Sequence, residues 1–181
     1  MSGGSTAPHT TGALSPADPV PAITGRILAF LDRAEVPYRV VHHGPTYTSE
    51  ESARARGEAL SSGAKALVLR VQEDDYRLVV LRPTARLDSK KARRLFGSRR
   101  VRFATPEELM ELTGLVPGSV PPFGPPILDL PLTVDAGLES DPTVAFNAGD
   151  LCTSVVMKTC DYLSSIGDTK RADLTRAEAP E

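Results

Sequence analysis

Lys65 opens the run GAKALVLRV, and its place there is the first sign of chemistry in this chain. Residues alternate faces along an extended strand, so Lys65 falls on one face with Leu67, Leu69 and Val71. An ammonium on an apolar face needs a partner or an anionic ligand, because an unpaired buried charge is costly. Two readings stand side by side. Either the strand starts at Ala66 and Lys65 reaches water from its end, or the lysine serves a ligand. Downstream lies Gly118-Ser119-Val120-Pro121-Pro122, with Gly124 just beyond. Glycine lets backbone N–H groups approach a ligand, and proline sets the turn without needing a donor. Such a loop either presents amides to a carbonyl oxygen or phosphate, or simply connects two elements.

Familiar catalytic constellations are missing. The chain contains no GxSxG, no P-loop, no GxGxxG after a strand and no HExxH. Neither Cys152 nor Cys160 has a histidine neighbour in sequence, and the pair reads as two reduced thiols in a cytoplasmic protein. His9 and the pair His42–His43 are too few for a histidine-rich metal site, so neither metal nor cofactor is expected. Asp135 closes a strand, where it either forms a turn or faces a pocket. Asn147-Ala148-Gly149-Asp150 is a second glycine turn between two strands, with the look of a hairpin.

The formal net charge of −2 over 181 residues argues against a generally basic nucleic-acid binder. Aromatic residues make up only 5% and tryptophan is absent, which argues against a broad stacking platform for single strands. Locally the picture differs: nine basic side chains fall between Arg82 and Arg102. On the helix after Asp88, Leu87, Lys91 and Leu95 form one stripe while Lys90, Arg93 and Arg94 turn outward. This is either a solvated face or a surface for a phosphate backbone.

Several elements must position these groups. Thr24 is expected to cap a helix carrying Ile27, Leu28, Phe30 and Leu31, with Ile23 and Leu28 stapled across the cap. Tyr38–His42 reads as a strand, and Thr48 with Glu51 as a capping box that starts a second helix. Ala66–Val71 and Tyr76–Leu81 read as a hairpin through Glu73-Asp74-Asp75. Asp88 starts a helix closed by Gly97, and Thr105-Pro106-Glu107-Glu108 starts another that stops at Gly114. Further strands are expected at Val101–Ala104, Ile127–Val134, Thr143–Phe146 and Cys152–Met157, with a closing helix around Cys160–Ile166. The mixture fits an α/β fold around a mixed, partly curled β-sheet with flanking helices. Residues 23–167 form one domain on this reading. Residues 1–22, rich in Gly, Ser, Thr and Pro and without the features of a secretion signal, are expected to be a disordered tail, and residues 168–181 a polar one.

HHGPTYTSEESA, GAKALVLRV, RLDSKKARRLFGSRRVRFATPEELMELTG, GLVPGSVPPFG and VDAGL with VAFNAGD occur in that order. Together they resemble the YbaK/ProX family of aminoacyl-tRNA deacylases, which are similar to the editing domain of prolyl-tRNA synthetase. The resemblance covers nearly everything from Thr24 to Ile166. It implies a compact α/β fold and hydrolysis, in trans, of the ester between a wrong amino acid and the tRNA 3′ end.

On that resemblance Lys65 matches the family's essential lysine and Gly118–Pro122 its GxxxP loop, so Lys65 and Gly118 are the expected catalytic residues. Ser119, Val120, Pro121, Pro122, Gly124, Asp135, Asn147 and Gly149 would bind substrate, with His43 near the pocket mouth. Several members carry histidine where this chain has Asn147. An aminoacyl ester is already activated, so positioning and charge stabilisation suffice without a strong nucleophile. Lys65 would engage a phosphate or the ester carbonyl, loop amides the oxyanion, and a water or a ribose hydroxyl would attack. Mischarged tRNA, through its 3′ end and acceptor stem, is the expected partner, with a synthetase as a second. Alanine, cysteine, serine and threonine on a non-cognate tRNA are all open as substrates, with alanine on proline tRNA ahead by the resemblance. The rival function is a binding module for aminoacyl-tRNA ends or a synthetase, without turnover. A small-molecule esterase lacks a visible nucleophile, unless Lys65 itself forms a Schiff base.

Overall fold

The computed structural model describes residues 22–176. The tail expected over residues 1–22 lies outside the described residues, apart from Ala22. Helix α1 (Ala22–Arg33) leads to strand β1 (Tyr38–His42) and helix α2 (Ser49–Arg56), followed by a 3-10 turn at Leu60–Ser62. Strands β2 (Lys65–Arg70) and β3 (Tyr76–Leu81) form the expected hairpin, closed by Val71 N–H donating to the Asp75 carbonyl at 2.7 Å. Next come helix α3 (Ser89–Phe96), strand β4 (Arg102–Phe103), helix α4 (Pro106–Thr113) and strand β5 (Leu132–Asp135). Strands β6 (Thr143–Asn147) and β7 (Thr153–Lys158), helix α5 (Thr159–Ser165) and strand β8 (Lys170–Ala172) complete the chain.

The fold is mixed α/β, but its strands divide into two sheets. One has the order β1-β7-β6 and the other β4-β2-β3-β5-β8. They touch where Gly63 and Ala145 form a bridge, with Ala64 N–H donating to the Ala145 carbonyl at 2.8 Å. That bridge brings the start of β2 beside the end of β6, and with it Lys65 beside Asn147.

Alternation along β2 and β3 sends residues to two cores. Leu69, Val79 and Leu81 meet Ala92, Leu95 and Phe96 of α3 on one face. Val68, Leu78 and Val80 meet the three-stranded sheet and helices α1, α4 and α5 on the other. Phe123 sits at the centre of that larger core, edge-on to Phe30, Phe146 and Tyr162 with ring centroids 5.3–5.6 Å apart.

Three expected elements are placed differently. Thr24 does not cap α1, which already runs from Ala22; its hydroxyl is buried and donates to the Ala148 carbonyl at 2.6 Å, tying the helix to the β6–β7 hairpin. The strand expected at Ile127–Val134 starts only at Leu132. Ile127 and Leu128 N–H groups instead turn back to the Gly124 carbonyl, and the apolar side chains of this run fill the core from a loop. The chain beyond residue 167 is not simply a polar tail: β8 pairs in parallel with β5, and Leu174 is fully buried. An edge strand shows one face to water, so only Ala172 and Leu174 needed to be apolar, and the sequence signal was faint.

Asp135 holds this last segment in place. It is buried, and its two carboxylate oxygens accept from Gly137 N–H at 2.9 Å and Leu174 N–H at 2.7 Å. Asp135→Ala leaves two backbone donors without their acceptor and is expected to lower stability by about 1–3 kcal/mol in urea unfolding. An unfolding midpoint equal to that of the unaltered chain would mean that neither backbone donor depends on this carboxylate.

Candidate active site

Helix α2 brings one side of the site. Thr48 caps it through Glu51 N–H at 3.1 Å, while Glu51 Oε2 accepts from the N–H groups of Thr48 and Tyr47 at 3.3 and 2.7 Å. Helical spacing then places Ser49, Ser52 and Arg56 on one face, with Arg54 turned to solvent. That face lines a cleft of about 230 Å3, whose other walls are the start of β2, Pro83, the loop at Gly118 and Val120, and Asn147. Among the described residues, no carboxylate, histidine or cysteine lines it.

Two cations face this cleft, and neither forms an ion pair among the described residues. Lys65 lies on the sheet face that α3 covers, and its Nζ donates to the carbonyls of Ala85 at 3.1 Å and Pro83 at 3.3 Å. These acceptors belong to the connection between β3 and α3. Burial lowers the Lys65 pKa from its ordinary 10.5; Glu50 opposes that shift and Arg86 adds to it. Arg56 is the second cation. Its Nε donates to Ser154 Oγ at 2.9 Å and its Nη2 to Asn147 Oδ1 at 2.7 Å. Burial pulls its pKa from 12.5 down to about 10, against a smaller upward pull from Glu58.

The loop is tied from both sides. Asn147 Nδ2 donates to the Gly118 carbonyl at 2.8 Å, and Ser119 N–H donates to the Val116 carbonyl at 3.1 Å. Gly118 adopts φ +88, a left-handed conformation that side chains rarely take. The N–H groups of Gly118 and Val120 have no protein acceptor among the described residues.

Of the residues singled out from sequence, Lys65, Gly118, Val120 and Asn147 come together in the cleft. The others do not line it. Ser119 is buried and bonds through Oγ to the Val116 backbone. Pro121 and Pro122 are buried, and the Pro122 carbonyl accepts from the Tyr162 hydroxyl at 2.6 Å. Gly124 lets the backbone pack, since a Cβ there would meet the Leu130 carbonyl oxygen at 2.9 Å. Gly149, at φ +95, lies against Ile23 of α1, where a Cβ would collide with the isoleucine side chain. The Asp135 carboxylate is bonded to the Gly137 and Leu174 N–H groups. His43 stands behind the wall: Nε2 meets Ser154 Oγ at 2.7 Å and Nδ1 the Gly44 carbonyl at 2.7 Å. Tyr47, Ser52 and Arg56 also line the cleft and were not singled out from sequence; Arg56 is the charged one. Its helix reads as an exposed alanine- and arginine-rich segment, and only its shared face with Ser49 and Ser52 marked it out.

The aminoacyl-tRNA editing domain profile matches residues 43–164. The chain belongs to this editing-domain family. The Escherichia coli (strain K12) protein named multifunctional Ser/Thr-tRNA deacylase ProXp-y is 38% identical over 144 residues, covering 76% of this chain and 84% of that one. Prolyl-tRNA editing protein ProX of Acetoanaerobium sticklandii is 28% identical over 135 residues, covering 72% and 82%. A solved structure described as a candidate trans-editing enzyme for prolyl-tRNA synthetase superposes with a TM-score of 0.72 at 32% identity, covering 91% of this chain and all of that one. No helix among the described residues is long and apolar enough to cross a membrane.

The electrostatics of the cleft can be read directly. In competitive amine acylation across pH, with detection by mass spectrometry, Lys65 is expected to titrate below 10.5. Titration at or above that value would mean its ammonium is not desolvated here.

Proposed function

We propose that this cleft hydrolyses the ester joining an amino acid to the 3′ end of a mischarged tRNA, as an editing deacylase acting in trans. The observation that carries this reading is the meeting of Lys65 with the Gly118–Val120 loop around one small cavity in a chain of the editing family. An aminoacyl ester needs orientation and charge stabilisation more than a nucleophilic side chain, and the lining supplies no such nucleophile–base pair. The oxygen of a water attacks the carbonyl carbon. The resulting oxyanion is met by the Gly118 and Val120 N–H groups, the bond to the ribose oxygen breaks, and that oxygen leaves with a proton. Free amino acid and uncharged tRNA result. The Lys65 ammonium holds a phosphate oxygen or the ester carbonyl of the terminal nucleotide. Tyr47, 68% exposed at the rim, offers its ring to the terminal base.

The amino acid must be small, and the hydroxyls of Ser49 and Ser52 in the wall favour a hydroxyl-bearing side chain. Serine and threonine fit, in line with the name of the E. coli relative. Charge distribution supports a docking face for the acceptor stem. Residues 82–102 hold nine basic side chains and one acidic, against twelve basic and twenty-two acidic in the rest of the chain. Arg86, Lys90, Arg93, Arg94, Arg99 and Arg100 are exposed and form no ion pair among the described residues. Helix α3 joins β3 through the segment that holds the Lys65 ammonium, so a stem lying on it would lead its 3′ end toward the cleft.

Lys65→Ala is expected to reduce kcat/KM for deacylation of a mischarged tRNA roughly 100-fold or more while the thermal unfolding midpoint stays put. Full activity in that variant, or binding without hydrolysis by the unaltered protein, defeats the reading. Reversing Lys90, Arg93 and Arg94 to Glu should raise KM roughly tenfold and flatten its salt dependence, with kcat retained. An unchanged KM would remove α3 from the tRNA path.

A further inference from the structure

We infer that Arg56 is a positioning residue for the oxyanion-binding loop, acting through the side-chain amide of Asn147. This inference rests on the deacylase reading and assigns a role to a residue that touches no reacting atom. A guanidinium only donates, so the Asn147 atom 2.7 Å from Arg56 Nη2 must be the amide oxygen. Asn147 then has no choice at its other end. Its Nδ2 faces the Gly118 carbonyl at 2.8 Å, where only a donor can sit. A flipped amide would set NH2 against the guanidinium and oxygen against oxygen. Ser154 Oγ, 2.9 Å from the same amide oxygen and 2.9 Å from Arg56 Nε, steadies both partners.

The consequence reaches the loop. Asn147 holds the Gly118–Ser119 peptide unit by its carbonyl, and Val116 holds the same unit by the Ser119 N–H, so the unit between the Gly118 and Val120 amides is pinned at both edges. Gly118 and Val120 flank that pinned unit and both line the cleft, and neither N–H has a protein acceptor among the described residues. An oxyanion-binding donor is useful only while its direction is fixed before the charge develops.

Energetics agree with a role beyond stability. Arg56 is largely withdrawn from water and faces no carboxylate at ion-pair distance among the described residues, so its charge is satisfied by neutral oxygens alone. A buried cation of that kind is poorly placed to stabilise a fold, and an apolar residue of similar length would serve stability as well.

The test combines kinetics with unfolding. Arg56→Met is expected to lower kcat for a mischarged tRNA roughly 10- to 100-fold, leave KM within about twofold, and leave the unfolding midpoint unchanged or higher. Arg56→Lys, which restores charge without the fork, should not recover kcat. Asn147→Asp keeps an acceptor for Arg56 but removes the donor to Gly118, and should lose kcat to a similar extent. Because both act on one loop, the double variant Arg56→Met/Asn147→Asp should be hardly worse than either alone. Unchanged kcat in Arg56→Met, rescue by Arg56→Lys with the defect confined to KM, or additive losses in the double variant would each overturn the inference. Should Arg56→Met fail to fold, stability rather than loop positioning explains the residue, and the inference falls. An inactive unaltered protein would instead condemn the deacylase reading itself.

Discussion

Two desolvated cations held in one small cleft by neutral oxygens are the constraint around which this molecule is arranged. Lys65 rests on two carbonyls and Arg56 on a hydroxyl and an amide, and neither is neutralised by a carboxylate at ion-pair distance among the described residues. Both lose hydration, which lowers both pKa values. Such a site is prepared for an anionic ligand or for negative charge that develops during a reaction. The same feature makes a general base in the lining unnecessary for an ester that is already activated.

The fold places these groups by bridging its two sheets through the backbone at Gly63 and Ala145. The bridge at Gly63 and Ala145 sets the beginning of β2 against the end of β6, so a lysine at one strand end and an asparagine at the other face the same cavity. Helix α2, stopped by Gly57 in a left-handed conformation, is long enough to deliver Arg56 to them at its last turn. The aromatic cluster around Phe123 lies just past the Gly118 loop and holds its far end, with the Tyr162 hydroxyl bound to Pro122. Rigidity of the loop therefore comes from the core on one side and from the polar wall on the other.

Distribution of charge adds a second layer. Overall acidity hides a basic segment that covers one face of the larger sheet through α3. Its apolar stripe of Ala92, Leu95 and Phe96 is satisfied by the core beneath, leaving the outward lysines and arginines free of structural duty. Pairing nevertheless consumes some of the charge: Lys91 bonds to Asp173 and Arg102 to Glu108. Glu108 is held well below the usual carboxylate range by its bond to Arg102 and by the Thr105 N–H of its own helix cap.

Local signals in the chain were enough for the helix caps at Thr48, Asp88 and Thr105, the β2–β3 hairpin and the alternation that puts Lys65 with Leu67 and Leu69. Those depend on spacing between near neighbours, which a sequence states openly. Lys65 and the glycine–proline loop were legible for the same reason, since their residue types restrict what the backbone there can do. The remaining assignments depended on long-range partners. Asp135, Gly124 and Gly149 carry residue types that suit a pocket as well as a packed turn, and only the positions of Leu174, Leu130 and Ile23 decide between the two. Arg56 looked like one more surface arginine until β6 and β7 supplied Asn147 and Ser154 from about a hundred residues away. Chemistry-bearing residue types are thus written in the chain, whereas the partners that turn a side chain into a ligand, a lock or a filler exist only once distant strands have met.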